Sequence, residues 1–432
     1  MGMYAGIFKG VVLDAMRANP DIAGVYADTQ GFIAVQPDDT HIHHSVVHKD
    51  LDSPLVHTSI WTSLSLNIAN HFLGRRAAPG LMREKTNLWN LARIASRPKP
   101  NGVNATTYTF NSTAGQGVDI YILDTGIFPG HSEFGGRVTW GKSVGSYAGK
   151  TTDDNGHGTH LAAIAAGGTY GVAKKADLIA VKVASDAGAA FASDIVSGIH
   201  WTIKNAKKTK KPSVISLSLG SGVNGALDAA AEKAVKKGIH FVAAAGNDGG
   251  DARGHSPGRS SKVITVGASD SKDVRATFSN FGSAVNIWAP GAAITSAWLG
   301  TPKNAATLSG TSMAAPHVAG LIAYVISLYG NQTPEEMQKW MRISSTNGTV
   351  TKLSGDDNNQ MMFNCWSEGG CYNFPPPPPP PTTTTTTMTM TTTTTRLMTA
   401  STNASTTVMS TLTSSEVATA TVTEQPAPPP SE

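Results

Sequence analysis

Two short segments place an acid and an imidazole where they could act on a substrate. Asp124 follows the β-branched run 118–123 and precedes a glycine turn, so its carboxylate stands at the end of a predicted strand. His157 lies between two glycines and opens an apolar stretch of helical type. Those glycines let a backbone or substrate approach the imidazole closely, and histidine is the side chain best suited to proton transfer near neutral pH. An aspartate before a glycine is also a common turn residue, so Asp124 alone is weak evidence.

The pair His157 and His160 raises the question of a metal site. Zinc-binding helices carry histidines at i and i+4 with a glutamate between them, whereas these two lie at i and i+3 without one. The spacing does not favour zinc, and the sequence predicts no metal ligands.

Two further segments supply a hydroxyl and an amide. Ser312 lies in a small-residue turn that enters a long apolar stretch, which predicts a serine at the amino end of a helix, where negative charge is favoured. Asn247 ends the run Ala-Ala-Ala-Gly-Asn, and its amide could donate to an oxyanion. Serine is also a common helix cap and asparagine a common turn residue, but capping alone leaves Asp124 and His157 unexplained.

Alternating strand and helix patterns must position these four residues. Short β-branched runs bounded by glycine or polar residues predict strands at 118–123, 214–219, 239–243 and 263–266. Alanine-rich segments with apolar residues at helical spacing predict helices at 194–208 and 227–237. This order predicts an α/β fold with a parallel, doubly wound sheet flanked by helices on both faces. In such sheets the chemistry gathers at the carboxyl ends of the strands.

The composition of the 432 residues excludes several classes of protein. The chain has 34 Lys and Arg against 30 Asp and Glu, and its basic residues are scattered, so a nucleic-acid partner is not expected. The longest mostly apolar stretch, 318–329, is well short of the roughly 20 residues that a membrane span needs, so no membrane partner is expected. Two cysteines cannot form a disulfide framework or a four-thiolate zinc site.

In the order Asp, His, Asn, Ser, the four segments resemble the subtilisin superfamily of serine proteases, most closely its proteinase K-like branch. The similarity runs from about residue 88 to residue 329. It includes Asp-Thr-Gly at 124–126, His-Gly-Thr-His at 157–160, Ser-Leu-Gly at 218–220, Val-Gly-Ala-Ser-Asp at 266–270 and Gly-Thr-Ser-Met-Ala at 310–314.

The resemblance implies a serine endopeptidase with a Ser-His-Asp triad. Ser312 would be the nucleophile, His157 the general base and then acid, and Asp124 the group that orients the imidazole. Asn247 and the backbone N–H of Ser312 would hold the oxyanion. The runner-up interpretation is a catalytically silent, protease-like surface or adhesion protein, against which the four intact residues argue.

The resemblance also implies how a peptide substrate would bind. Main-chain pairing would hold an extended peptide between two segments and give affinity without reading sequence. The pocket walls are small and uncharged, which predicts broad specificity with an apolar or aromatic residue before the cut. The implied substrate-binding residues are Gly188, Ala189, Ser218, Leu219, Gly220, Ala244, Ala245 and Gly246. Ala192 stands where relatives often carry an aromatic residue, which predicts a wider distal subsite.

Two departures from the proteinase K-like pattern have chemical consequences. Leu161 stands where many relatives carry a cysteine, so thiol reagents are not expected to inhibit. The positions that hold a calcium ion in that branch read Ser261, Val263 and Asn286, and a neutral amide binds a hard cation less well than a carboxylate. We therefore expect no required cofactor and a weak or empty structural calcium site.

The segments around the predicted catalytic domain, residues 77–353, have other compositions. Residues 1–76 predict a partial pro-domain and linker, because 4–28 resemble the second half of the pro-domain that acts as an intramolecular inhibitor in this family. Arg75 and Arg76 are a candidate maturation boundary or an ordinary basic loop. No signal peptide is visible in residues 1–10, and we expect poor maturation unless a complete pro-domain is supplied.

The carboxyl-terminal segments predict an exported protein. Residues 354–374 form a short extension in which Cys365 and Cys371 could form a local disulfide or remain free thiols. Residues 375–432 are rich in proline and threonine, which predicts a disordered tail, either O-glycosylated or unmodified. Five sequons favour secretion as a glycoprotein, and the tail could tether the protein to a cell wall; we expect a monomer. The sequons are Asn104, Asn111, Asn331, Asn347 and Asn403.

Overall fold

The computed structural model describes residues 16–17, 25–33, 80–100, 105–366, 390–399 and 409–418. The chain divides into two units, Met1–Pro376 and Pro377–Glu432. Several predicted features lie outside the described residues. These are the pro-domain residues other than 16–17 and 25–28, the basic pair Arg75 and Arg76, Cys371, and the sequons Asn104 and Asn403.

Short strands and longer helices alternate along the first unit. The strands are β1 (Gln30–Ile33), β2 (Leu81–Lys85), β3 (Thr107–Asn111), β4 (Asp119–Asp124), β5 (Val138–Ser143), β6 (Asp177–Lys182), β7 (Ala189–Phe191), β8 (Ser213–Leu217), β9 (Leu219–Gly222), β10 (His240–Ala244), β11 (His255–Ser256), β12 (Ile264–Ser269), β13 (Ile287–Pro290), β14 (Ile294–Ala297), β15 (Ala305–Leu308), β16 (Thr346–Asn347) and β17 (Gln360–Met361). The helices are α1 (Trp89–Ile94), α2 (His157–Ala166), α3 (Ala192–Thr209), α4 (Gly225–Lys236), α5 (Thr311–Tyr329) and α6 (Pro334–Ser344).

A nine-stranded sheet forms the centre of this unit. Its strand order is β16-β17-β13-β12-β10-β8-β4-β6-β5, and every neighbouring pair is parallel except β16 with β17. The predicted α/β fold is confirmed. Because the strands are parallel, the carboxyl ends of β4, β8 and β10 lie side by side at one edge.

The central strands are buried on both faces, as a doubly wound sheet requires. Within β4, Ile120 and Ile122 belong to the apolar cluster that contains α2 and α5, whereas Tyr121 and Leu123 belong to the cluster that contains α3 and α4. Successive strand residues point to opposite faces, so the two clusters are the two layers of core on either side of the sheet.

Most predicted elements are confirmed to within a few residues. The runs at 118–123, 239–243 and 263–266 correspond to β4, β10 and β12, and the two helical segments correspond to α3 and α4. The prediction of one strand over 214–219 is wrong, because β8 ends at Leu217 and β9 begins at Leu219. At Ser218 the chain leaves the parallel sheet, and its carbonyl accepts a hydrogen bond from the Ser312 hydroxyl at 3.2 Å.

A second, antiparallel sheet has the order β11-β9-β1-β7. Its third strand, β1, comes from the amino-terminal region and lies between β9 and β7. Phe32 pairs with Gly220 on one side and with Ala189 on the other. Residues 30–33 thus bridge two segments that are far apart in the sequence.

The segment after residue 353 contributes to the main sheet. Strand β17 pairs with β13 through Met361 and Trp288, and Phe363 and Trp366 are buried in the core. The sequence places the end of the catalytic domain at 353, whereas the structure extends the packed body to Trp366. Apolar residues at 361–363 account for the difference, because they gain by leaving water.

One helix among the described residues, α5, is long and apolar enough to cross a membrane by length and composition. In the fold, 89% of the apolar stretch of this helix is buried. Helix α5 is therefore the core helix of the first unit, packed against the sheet and α2.

In the second unit the described residues form a hairpin of two antiparallel strands, β18 (Met390–Thr399) and β19 (Met409–Ala418). This differs from the expectation of a tail without regular structure. Threonine is β-branched and favours extended backbone, which gives these runs a strand preference that the low apolar content of the tail did not suggest.

Candidate active site

Asp124 and His157 form a buried pair at the carboxyl edge of the main sheet. Asp124 is the last residue of β4, and His157 is the first residue of α2, which Gly156 precedes with a φ of 103°. His157 Nδ1 lies 2.8 Å from Asp124 Oδ1, and both side chains are at most 1% exposed. When Nδ1 donates to this carboxylate, the lone pair of the neutral imidazole is on Nε2, where a proton acceptor is useful.

Ser312 lies in the first turn of α5, as predicted. Its hydroxyl donates to the carbonyl of Ser218, and His157 Nε2 has no hydrogen-bond partner among the described residues. The hydroxyl–imidazole hydrogen bond of a triad is therefore not formed in this structure. Leu123 and Leu217 are paired neighbours, so Asp124 and Ser218, the next residues along, lie side by side. His157 and Ser312 are thus hydrogen-bonded to two residues, Asp124 and Ser218, that lie side by side at the same sheet edge.

Asn247 follows β10 and faces the start of α5. Its Oδ1 accepts hydrogen bonds from Thr311 N at 2.9 Å and from Thr311 Oγ1 at 2.7 Å. These two donors fix which end of the amide points to the helix, so the N–H₂ group points away from Thr311. The arrangement holds the Asn247 side chain against Thr311, the residue that precedes Ser312.

The predicted substrate-binding segments form two walls of one groove. Gly188 precedes β7, which begins at Ala189, and Ser218 precedes β9, which begins with Leu219 and Gly220. Strand β1 pairs with both, antiparallel to each. The predicted main-chain pairing surfaces therefore face each other across the width of one extended strand.

The third predicted wall, Ala244 to Gly246, is uncharged and rigidly held. Ala245 N donates to Val266 O at 3.0 Å, and Asn280 Nδ2 donates to Ala245 O at 3.0 Å. Gly246 has a φ of 102°, and a side chain there would collide with the Asn280 amide. Its glycine is needed for both conformation and space.

Two buried charged residues near this edge were not singled out from the sequence. Lys182 pairs with Asp124 in register, is fully buried, and donates to Thr125 O at 2.6 Å and to Asp186 Oδ1 at 3.0 Å. Asp153 lies in the loop before α2 and is 6% exposed. The signal for Lys182 in the sequence is a lysine directly after the apolar run 178–181.

His160 is buried in the core, where one ring nitrogen is bonded to two backbone carbonyls. Its Nε2 lies 3.1 Å from the carbonyls of Ile294 and Ala306, so this nitrogen carries the proton and donates. Burial lowers the pKa of His160 to about 3, so the ring is neutral. In the part of the chain that the structure describes, no group of three or more His, Cys, Asp or Glu side chains is placed to hold a metal ion.

One ligand atom at the predicted calcium position, the side-chain oxygen of Asn286, already accepts a hydrogen bond. Asn286 Oδ1 accepts a hydrogen bond from Thr265 N at 2.7 Å, and the residue is 9% exposed. A neutral, occupied amide oxygen is a poor ligand for a hard cation. The Asn286 side chain therefore fits a calcium ion poorly, and a weak site at Ser261, Val263 and Asn286 remains a prediction.

Comparison with known proteins places this arrangement in a family. The model of the subtilase family, peptidase family S8, matches residues 115–362, more than half of the chain. The chain is 45% identical over 280 residues to the subtilase-type proteinase psp3 of Schizosaccharomyces pombe, covering 64% of this chain and 62% of that protein. It is 36% identical over 391 residues to the subtilisin-like serine protease Pen c 2 of Penicillium citrinum, covering 86% and 75%.

A solved structure has the same fold. The crystal structure of a cold adapted subtilisin-like serine proteinase matches with a TM-score of 0.61 and 37% identity, over 65% of this chain and 99% of the other. The chain spans about 62% of the length of psp3. The proteinase K-like branch remains a prediction. The family itself is shown by these matches, and this chain belongs to the subtilases.

Proposed function

We propose that this chain is a serine endopeptidase that cleaves peptide bonds through Ser312, His157 and Asp124. The observation that carries the proposal is the buried His157–Asp124 hydrogen bond at 2.8 Å. It forms at the sheet edge where the Ser312 hydroxyl is hydrogen-bonded to Ser218, the residue after the neighbouring strand β8. A buried imidazole bonded to a carboxylate is held in one tautomer, and the carboxylate stabilises the imidazolium that forms when the ring accepts a proton.

In the proposed reaction the Ser312 hydroxyl attacks the scissile carbonyl carbon. Its proton passes to His157 Nε2, and the carbonyl oxygen becomes an oxyanion that Asn247 Nδ2 and the backbone N–H of Ser312 stabilise. The C–N bond then breaks as His157 gives the proton to the departing amine. Water attacks the acyl-enzyme with the same proton transfers and releases Ser312. The hydroxyl must turn from Ser218 O toward His157, a rearrangement typical of sites that tighten only when substrate binds.

The substrate in this proposal is an extended peptide with an apolar or aromatic residue before the cut. The pairing of β1 with both β7 and β9 supports the binding mode, because it shows an extended strand fitting between the two walls. The uncharged residues Ala244 to Gly246, together with Leu219, favour an apolar side chain next to the cut. Ala192 leaves the distal subsite without a large side chain, so we expect tolerance of bulky residues there.

Residues 30–33 belong to the predicted pro-domain, and we infer that this segment inhibits the enzyme until it is removed. It occupies the groove that a substrate would need. Asp28 adds a second attachment, since its carboxylate accepts from Ser193 N at 2.9 Å and from Ser193 Oγ at 2.7 Å at the start of α3. A helix amino end favours a carboxylate.

We further propose that the enzyme acts outside the cell and needs no cofactor. Cys365 is disulfide-bonded, and disulfides persist in oxidising compartments. The sequons Asn331 and Asn347 are exposed, whereas Asn111 is fully buried, so a glycan would attach to the first two. Because the Asn286 side chain fits a cation poorly, proteolysis should continue after a chelator removes free calcium.

The decisive experiment is labelling with a fluorophosphonate, which reacts only with an activated serine. The full chain, folded with a complete subtilase pro-domain, should label and hydrolyse a peptide substrate. Ser312→Ala and His157→Ala should each lower kcat by about 10⁶-fold, the magnitude for this family in subtilisin, while keeping the wild-type unfolding transition. A folded wild-type protein that neither labels nor cleaves would favour the silent surface protein instead.

A further inference from the structure

Asp153 is a buried acid on which five hydrogen bonds converge. Its Oδ1 accepts from Thr125 Oγ1 at 2.9 Å, Asn155 N at 3.1 Å and Gly156 N at 2.9 Å. Its Oδ2 accepts from Thr159 N at 2.9 Å and Thr159 Oγ1 at 2.5 Å. A carboxylate has about four lone-pair sites, so this one is fully used within the protein.

The two side-chain donors belong to two different parts of the cleft. Thr125 comes directly after Asp124, at the end of β4. Thr159 lies two residues after His157, in the first turn of α2. Asp153 is therefore bonded to the residue next to the aspartate of the pair and to the turn that carries the histidine.

Two further hydrogen bonds close this network. Thr125 Oγ1 donates to Asp153 and accepts from Gly158 N at 3.0 Å. Thr159 Oγ1 donates to Asp153 and accepts from Phe128 N at 2.8 Å. Each threonine hydroxyl thus connects the loop after β4 to α2, and each is oriented by the same carboxylate.

We propose that Asp153 is a positioning residue for the proteolytic reaction; this inference rests on the proposed function. By orienting Thr125 and Thr159 it sets the spacing between β4 and α2, and with it the 2.8 Å contact between Asp124 Oδ1 and His157 Nδ1. Asp153 acts through these neighbours and does not touch the reacting atoms.

The simpler role for such an acid is a helix cap. Asp153 accepts from backbone N–H groups at the start of α2, and a cap contributes about 1 kcal/mol to stability. A cap alone does not require the bond to Thr125, which lies on another element. The two roles differ in what they predict: loss of a cap lowers stability, whereas loss of a positioning residue lowers kcat in enzyme that remains folded.

The test compares Asp153→Asn with Asp154→Asn in the full chain, folded with a complete subtilase pro-domain. Asp154 is the adjacent residue, is exposed, and accepts from Thr152 Oγ1 at 2.7 Å. An amide at 153 can accept on one side only, and its N–H₂ would face the Thr159 donors. We expect kcat to fall by about 10- to 100-fold for Asp153→Asn with KM changed less than about twofold, and Asp154→Asn to match wild type.

A second set of variants covers the case in which Asp153→Asn does not fold. Thr125→Ser keeps the bridging hydroxyl, whereas Thr125→Val keeps the shape and removes it. Positioning predicts that kcat falls about fivefold or more for Thr125→Val and recovers in Thr125→Ser, measured where urea titration shows both folded.

The outcomes separate this inference from the proposed function. An active wild type in which Asp153→Asn or Thr125→Val is folded and turns over at the Asp154→Asn rate would overturn the positioning role alone. A folded wild type that shows neither fluorophosphonate labelling nor peptide cleavage would overturn both. Loss of stability in Asp153→Asn with unchanged kcat would assign the residue as a cap.

Discussion

The two sides of the cleft are built in different ways. The side that carries Asp124 and His157 is held by hydrogen bonds among buried polar groups, which include Asp153 and Lys182. The side that carries Ser312 is one end of α5, whose residues are continuously buried from 311 to 326. The first side therefore depends on which atoms donate and accept, and the second depends on shape and volume.

This difference follows from what each side must do in the proposed reaction. A proton acceptor needs one tautomer and a fixed direction, which only directional hydrogen bonds supply. A nucleophile at a helix end needs a rigid base, which close packing of an apolar helix supplies. Substitutions on the two sides should consequently fail in different ways, the polar side in kcat and the apolar side in stability.

The largest effect below loss of the proposed triad is expected from Asn247, which is hydrogen-bonded to Thr311 at the start of α5. Asn247→Ala removes the proposed oxyanion donor and should raise the barrier by about 3 kcal/mol, a fall in kcat of some hundredfold or more; this magnitude comes from subtilisin. KM should change little, because the donor acts mainly in the transition state. Steady-state kinetics against Asp248→Asn, on the exposed neighbour, would check this. An unchanged kcat would remove Asn247 from the mechanism.

Two glycines offer a matched comparison of the sides. A side chain at Gly158, in α2, would collide with the backbone oxygen of Gly126, just after Asp124. A side chain at Gly320, in α5, would lie 2.7 Å from the backbone oxygen of Ala165 in α2. We expect Gly158→Ala to lower kcat at least about tenfold. Gly320→Ala should leave kcat unchanged and lower the free energy of unfolding by about 1–3 kcal/mol.

The control for both is Gly254→Ala, where a new side chain meets nothing within 4 Å. It should be neutral or stabilising by about 0.4–1 kcal/mol, because the alanine restricts the unfolded chain. Urea titration and kinetics of the three variants would complete the comparison. Equal losses of kcat from Gly158→Ala and Gly320→Ala would show that the two sides are not mechanically distinct.

The sequence predicted the elements on which the four candidate catalytic residues lie, because strand ends and helix starts have local signals. Asp124 follows a β-branched run, and Ser312 precedes a long apolar run, so each could be placed on its element without tertiary information. The position of Asn247 after β10 followed in the same way. Periodicity also predicted the parallel sheet, since buried parallel strands read as short apolar runs.

What the sequence could not give depends on contacts between distant segments. The hydrogen bond from Thr125 reaches Asp153 only after β4 and α2 are packed, and the sequence gives no local signal for it. The break at Ser218 has no local signal, because the run 214–219 is uniformly strand-like. The position of residues 30–33 between β7 and β9 is likewise set by backbone pairing, which leaves little mark on residue types.

Acidification should lower the free energy of unfolding through a buried histidine on each side of the cleft, His160 in α2 and His317 in α5. Burial lowers the pKa of His160, on α2, to about 3 and the pKa of His317, on α5, to about 4. His317 Nδ1 donates to Met313 O at 2.8 Å, and its Nε2 accepts from Asn90 Nδ2 at 2.8 Å, which requires the neutral ring. Protonation would destroy the bond to Asn90.

The sign of the effect follows from the lowered pKa. Between about pH 6.5 and pH 4 the unfolded state binds protons that the folded state does not, so stability is full above pH 6.5 and falls as pH decreases. Each histidine should contribute a slope approaching about 1.4 kcal/mol per pH unit. Urea titrations at pH 7.5, 6.5, 5.5 and 4.5 should show this slope reduced in His160→Gln and in His317→Gln. Because carboxylates add a similar pH dependence, the measured quantity is the difference in slope between each variant and wild type. A variant that retains the full wild-type slope would show that its histidine is already protonated in the folded state.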